Sequence, residues 1–149
     1  MDQNQLSFMA GEWTGIGTMT VGNNNGDVIE SLLLDQTDFV SCLSYKRNSR
    51  ITFSNHVSLH NEIGYIRLSD VGLLLSRGSY IILPWDPAQN AYVQSAGSPD
   101  SRNMKRQVTF LPNNQMTWHN SMEVNVQGNW VTHTVNSTFT SVTNTAPSP

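Results

Sequence analysis

A chain of 149 residues, net charge -3 and sequence pI about 5.7 fits one domain, large enough to fold without disulfide or metal staples. Charged residues are only 13% of the chain, and there is no basic run to follow a nucleic-acid backbone and no apolar stretch long enough for a membrane helix. The single cysteine, Cys42, excludes an internal disulfide.

In chain order, Asp2 or Asn4 is placed to cap a helical turn through Leu6, Phe8 and Met9, ended by Gly11. Such a turn is too short to stand alone and is expected to pack on something larger. From Glu12 onward the chain reads as strands broken by turn residues. "EWTGIGTMTV", the turn "GNNNGD", "VIESLLLDQ", "DFVSCLSYKRNS" and "ITFSNHVSL" come first. "EIGYIRLSD" follows, then a turn at Val71-Gly72, "LLLSRG", "SYIILP" and the turn "WDPAQN". "AYVQSAG", the turn "SPDSRN", "KRQVTFL", "MTWHNSMEVNV" and "WVTHTVNSTFTSV" complete the pattern. No segment sustains a helical period.

About ten short strands at hairpin spacing predict an all-β, antiparallel up-and-down barrel with a short N-terminal helical turn. A β-sandwich fits less well, because the turns are tight and no long crossover is visible. The barrel is expected over residues 1–142, with a flexible tail over 143–149. About ten strands leave a lumen that side chains need not fill, so a small ligand fits there.

The N-terminus has no basic region followed by an apolar run, so no signal peptide is read. With one cysteine, that makes a cytoplasmic location the expectation. Cys42 itself reads either as a small buried strand residue or as a nucleophile.

Two stretches carry more. "FMAGEWTGIGT" places Gly11, Trp13, Gly15 and Gly17 after the opening turn, where Trp13 can plug one end of a barrel and the glycines permit close backbone approach. "LHNEIGYIRL" puts His60, Glu62 and Gly64 on one face of a strand and Leu59, Ile63 and Tyr65 on the other. His60 and Glu62 then lie roughly 7 Å apart at Cα. They suit a catalytic pair, half of a metal site, or polar trim bonded to backbone or to Arg67.

Together these stretches resemble the nitrobindin-like and fatty-acid-binding-protein-like heme-binding barrels, over most of residues 6 to 142. The family's Leu-His-x-Glu-x-Gly-aromatic-aliphatic-Arg strand is matched by Leu59, His60, Glu62, Gly64, Tyr65, Ile66 and Arg67. Between Phe39 and Thr52 the chain keeps Tyr45 but lacks the family's Pro and Trp. The resemblance implies heme b, an axial histidine on the last strand, and nitric-oxide or peroxynitrite chemistry resembling a peroxynitrite isomerase.

His133 is the only histidine of that last strand and shares the more apolar face with Val131, Val135 and Phe139. Counted from the strand's end, the family's ligand position falls nearer Thr134, and a one-residue slip exchanges faces. Met116, Trp118 and Met122 are candidates to line the heme pocket, or else to serve as wall packing. His119 reads as distal or surface, and His56 has no evident partner. Lys46, Arg47 and Arg50 could meet propionates or a fatty-acid carboxylate at a rim, or belong to a solvated turn.

The competing expectation is a heme-free carrier or sensor of an apolar small molecule such as a fatty acid, its carboxylate on Arg67, Arg102 or Arg106. A filled barrel acting as an interaction module is the third. The expected partner is thus a small apolar ligand or heme, with no nucleic acid and no membrane, and a homodimer stays open. No Ser-His-Asp ordering, phosphate loop or HExxH segment is present.

Overall fold

The computed structural model describes residues 1–75, 78–143 and 148–149. Helix α1 (Gln3–Met9) opens the chain. The Asp2 carboxylate accepts from the Gln5 amide at 2.9 Å, and the Gln5 side chain accepts from the Asp2 amide at 2.9 Å. This reciprocal cap occupies two of the backbone donors that a helix leaves open. The buried side of α1 carries Leu6, Phe8 and Met9.

Ten antiparallel strands follow: β1 (Gly11–Val21), β2 (Asn24–Gln36), β3 (Cys42–Thr52), β4 (Val57–Arg67) and β5 (Asp70–Leu75), then β6 (Tyr80–Asp86), β7 (Ala91–Val93), β8 (Ser101–Leu111), β9 (Gln115–Val126) and β10 (Asn129–Ser141). Each pairs with the next, and β10 returns to β1, from Trp13 opposite Ser141 to Val21 opposite His133. The sheet is a closed barrel without edges, as the strand count and turn spacing predict. No helix among the described residues is long and apolar enough to cross a membrane.

One end is closed. Helix α1 lies there, and the Trp13 indole donates to the Met9 carbonyl at 2.8 Å. The Gln3 side chain reaches the Val40 carbonyl in the β2–β3 connection at 2.9 Å. Trp13, Trp118, Phe139, Leu6 and Leu43 are all buried there. Edge-to-face contacts join Phe8 to Trp13 and Trp118 to Phe139, with ring centroids 5.6 and 5.8 Å apart. Trp13 thus plugs this end, and its sequence neighbours explain how. At the far end run the β1–β2, β3–β4, β5–β6, β7–β8 and β9–β10 connections.

Three boundaries differ from the sequence reading. "KRNS" is the middle of β3, and "ITFSNHVSL" is split between the end of β3 and the start of β4. Val71 and Gly72 lie inside β5, not in a turn. A Cβ on Gly64 would sit 2.0 Å from the Gly72 carbonyl oxygen, so this glycine pair serves close strand packing and mimics turn composition. Ser101 to Asn103 begin β8, which breaks register between Arg102 and Lys105, and Asn103 takes φ 55°.

The strand expected over 73–78 is β5 as far as Leu75, and 76 and 77 lie outside the described residues. Of the tail, 144–147 also lie outside them. Its described ends are bonded to the barrel: the Thr143 hydroxyl accepts from Glu12 N–H, and the Ser148 hydroxyl from Asn114 N–H. Strand β7 is short, with two registered pairs to β6 and two to β8.

Candidate ligand-binding site

Above the aromatic core, toward the open end, the lumen holds a cavity of about 730 Å³ counted with its mouth. Its upper wall is largely apolar, with Met19, Val28, Ile51, Met104, Met122 and Val135. Its floor is charged, and strand alternation puts the charges there. On β2, Val28, Glu30, Leu32 and Leu34 all point inward, and on β3 so do Leu43, Tyr45, Arg47, Ser49 and Ile51.

Two ion pairs form the floor. Arg47 grips Glu30 through Nε at 3.1 Å to Oε1 and through Nη2 at 2.8 and 3.0 Å to Oε1 and Oε2. The Ser49 hydroxyl donates to the same Glu30 Oε1 at 2.6 Å. Arg106, from β8, donates through Nη2 to Glu62 Oε1 at 2.7 Å, through Nη1 to the Tyr45 hydroxyl at 2.9 Å, and through Nε to Asn120 Oδ1 at 2.6 Å. Tyr45 in turn donates to Glu62 Oε1 at 2.6 Å. All four charged residues are at most 5% exposed.

Trp118 lies beneath both guanidiniums, 5.6 Å from Arg47 and 4.9 Å from Arg106. These contacts tie the floor to the aromatic core.

Electrostatics follow from this geometry. Burial alone would raise the Glu62 pKa, but facing Arg106 and Arg47, with the bonds from Tyr45 and Arg106, hold it below the ordinary carboxyl value. Burial pushes the Tyr45 hydroxyl well above its usual range, so it stays a neutral donor. Burial opposes charge on Arg106, yet Glu62 outweighs it and keeps the guanidinium charged.

The candidate residues from the sequence separate by this geometry. His133 lines the cavity with Met122 and Val135, and its registered partner on β9 is Met122. Thr134 takes the alternate position in β10, so the neighbouring-residue ambiguity resolves with His133 on the lumen side. His60 also lines the cavity, from β4. Met116 and Trp118 do not line it. Both are fully buried in the core below the floor, where the Trp118 indole donates to the Met116 sulfur at 3.3 Å. The heme-pocket reading of those two residues is corrected to core packing.

His119 pairs outside the lumen with Asn136. His56 has partners after all: its ring stacks on Phe53 at 4.9 Å and bonds Asn55 at 2.8 Å. Lys46 and Arg50 are exposed, whereas Arg47 between them is in the floor, so the three form neither a rim cluster nor a solvated turn. Of the three candidate anchors, Arg67 pairs with Asp70 and Arg102 with Glu123 on part-exposed positions, and Arg106 is the inward one.

In "LHNEIGYIRL", His60 and Glu62 therefore face the lumen and Leu59 the outside, with Glu62 bound to Arg106 and not to Arg67. Among the described residues no group of three or more His, Cys, Asp and Glu side chains converges to hold a metal ion.

Sequence reasoning missed Glu30, Ser49 and Asn120, and placed Arg47 at a rim or in a turn instead of in the floor. The available signal was opposite charges at inward parity on neighbouring strands, Glu30 on β2 and Arg47 on β3. No protein-family model and no curated protein matches the chain.

Proposed function

We propose that this barrel binds a small ligand in its lumen, and that the ligand is ferric heme b held by His133, in the manner of the nitrobindin-like barrels its strand motifs resemble. The observation that carries this reading is the position of His133 on the lumen wall beside Met122 and Val135. The donor set fits the group: ferric heme takes an axial imidazole in an apolar setting, and protein side chains around it set polarity and access.

In this reading His133 is the iron ligand and Met19, Met122 and Val135 exclude water beside it. Bound heme would supply a ferric centre for nitric oxide and for peroxynitrite isomerisation, so enzyme activity depends on heme being bound. Cys42, free of any disulfide, supports a cytoplasmic setting.

The test is a hemin titration of the purified protein followed at the Soret band. A saturable band is expected, lost in His133→Ala. His60→Ala should keep the band and mainly lower thermal stability. Equal loss of the band from His60→Ala, with the fold intact, would overturn the assignment of His133.

One observation favours a second reading, a heme-free carrier or sensor of an amphipathic molecule. The cavity runs from an apolar wall to a polar floor, as a ligand with an apolar body and a polar end requires. A fatty acid suits this floor poorly, because both inward arginines are already matched by glutamates. Mass spectrometry of ligands extracted from the purified protein checks this reading.

A further inference from the structure

We infer that the lumen floor selects an uncharged head group presenting a hydrogen-bond acceptor beside a donor, a primary carboxamide being the simplest case, on an apolar body. This rests on the reading that the lumen binds a small molecule, and it names the chemistry the floor accepts whether or not heme binds nearer His133.

The first observation is charge balance. Among the described residues the floor holds two guanidiniums, Arg47 and Arg106, and two carboxylates, Glu30 and Glu62, closed into pairs at 2.8 and 2.7 Å. A carboxylate ligand would lie against Glu30 and Glu62 or displace one of them from its arginine. An ammonium ligand meets the mirror problem. Either brings one uncompensated charge into a site whose own charges are almost fully buried, where lost hydration opposes it.

The second observation is which hydrogen-bonding positions remain. Arg47 holds Glu30 through Nε and Nη2, leaving the N–H groups of Nη1 outside that pair. Asn120 gives Oδ1 to Arg106, and its buried Nδ2 has no partner among the described residues. Glu62 receives both Tyr45 and Arg106 on Oε1, leaving Oε2 as an acceptor. Arg47, Asn120 and Glu62 all line the cavity. A ligand carbonyl accepting from Asn120 Nδ2 or Arg47 Nη1, with an adjacent N–H donating to Glu62 Oε2, uses these positions and changes no charge. A buried donor left unmatched is costly, which is what gives such a floor its selectivity.

The test is calorimetric titration of the whole chain at neutral pH with octanamide, octanoate and octylammonium, which share one apolar body. Octanamide is expected to bind about 100-fold more tightly than either charged probe, the fold-change a few kcal/mol of uncompensated charge produces. Glu62→Gln keeps an acceptor for Arg106 and Tyr45 but leaves one positive charge over, and should shift preference toward octanoate. Asn120→Asp keeps the oxygen that Arg106 uses but adds one negative charge, and should shift preference toward octylammonium.

Octanoate binding the unaltered protein as tightly as octanamide would overturn the inference, and so would an unchanged ranking in both folded variants. If a variant does not fold, the ranking on the unaltered protein decides. Absence of binding by all three probes also overturns it. Hemin titrated into the same preparation reports on the heme proposal separately.

Discussion

The two halves of this barrel are built by the same strands and obey different rules. On β9, Met116 and Trp118 fill the closed half, and Asn120 and Met122 line the open half. On β4, Ile66 belongs below, and Glu62 and His60 above. On β10 the division falls between Phe139 below and Val135 and His133 above. The closed half is stabilised by burying large apolar rings and demands only shape. The open half buries four charges, which is a poor way to gain stability, because desolvation offsets much of the attraction within each pair. The proposed ligand reading rests on this charged half, where burial of the pairs gives little stability of its own.

The sharpest break of that contrast is mutational. Trp118→Ala, at the junction of the halves, should cost about 3–5 kcal/mol in denaturant unfolding. It removes both the core ring and the surface on which the guanidiniums rest. Arg106→Met should cost a similar amount, roughly 3–5 kcal/mol, because Glu62 is then buried without its partner. Adding Glu62→Leu to that variant should recover most of the loss. If the double variant is no more stable than the single, the pair is a structural support of the barrel and the contrast fails.

In the closed half a shape rule replaces the charge rule. Gly64→Ala should cost about 1–3 kcal/mol, since the new methyl meets the Gly72 carbonyl oxygen of the next strand. Thermal melts read this directly.

Acid should act on the open half. Glu62 has a folded pKa below its ordinary 4.5, so its contribution is full above that value and is lost as pH falls below it through the folded value. The melting temperature should therefore drop on acidification in this range, and Glu62→Gln should flatten the drop. A pH dependence unchanged by that variant would assign acid sensitivity elsewhere. The smallest effect expected is from His133→Ala, under about 1 kcal/mol in the absence of ligand, since it trims a wall residue of an open cavity.

The sequence carried the closed half almost completely. Period-two alternation, tight turns and the Gly-x-Trp opening predict the barrel, the helical turn and the Trp13 plug, because apolar burial leaves a composition signal. The inward side of His133 was legible from its apolar neighbours on β10. The charged floor was not, because Lys46, Arg47 and Arg50 read together as a rim cluster or a solvated turn, and a single strand's pattern does not reveal Glu30 on the neighbouring strand. Hydrogen bonds across the lumen, from Arg106 to Tyr45 and to Glu62, join residues 61 and 44 positions apart and depend on barrel closure. Gly72 misled for the reverse reason, since a packing glycine and a turn glycine look alike in one sequence.

The brevity of β7 has a dynamic consequence. A closed sheet opens where its interstrand bonding is sparsest, and β7 joins its neighbours by two registered pairs on each side, against eleven between β1 and β2. That seam should breathe more often than the rest of the wall, with amides of β6 and β7 exchanging with deuterium ahead of those in β1, β2 and β9. The Tyr92 hydroxyl, bonded to the Arg67 carbonyl at 2.7 Å, is the latch across it.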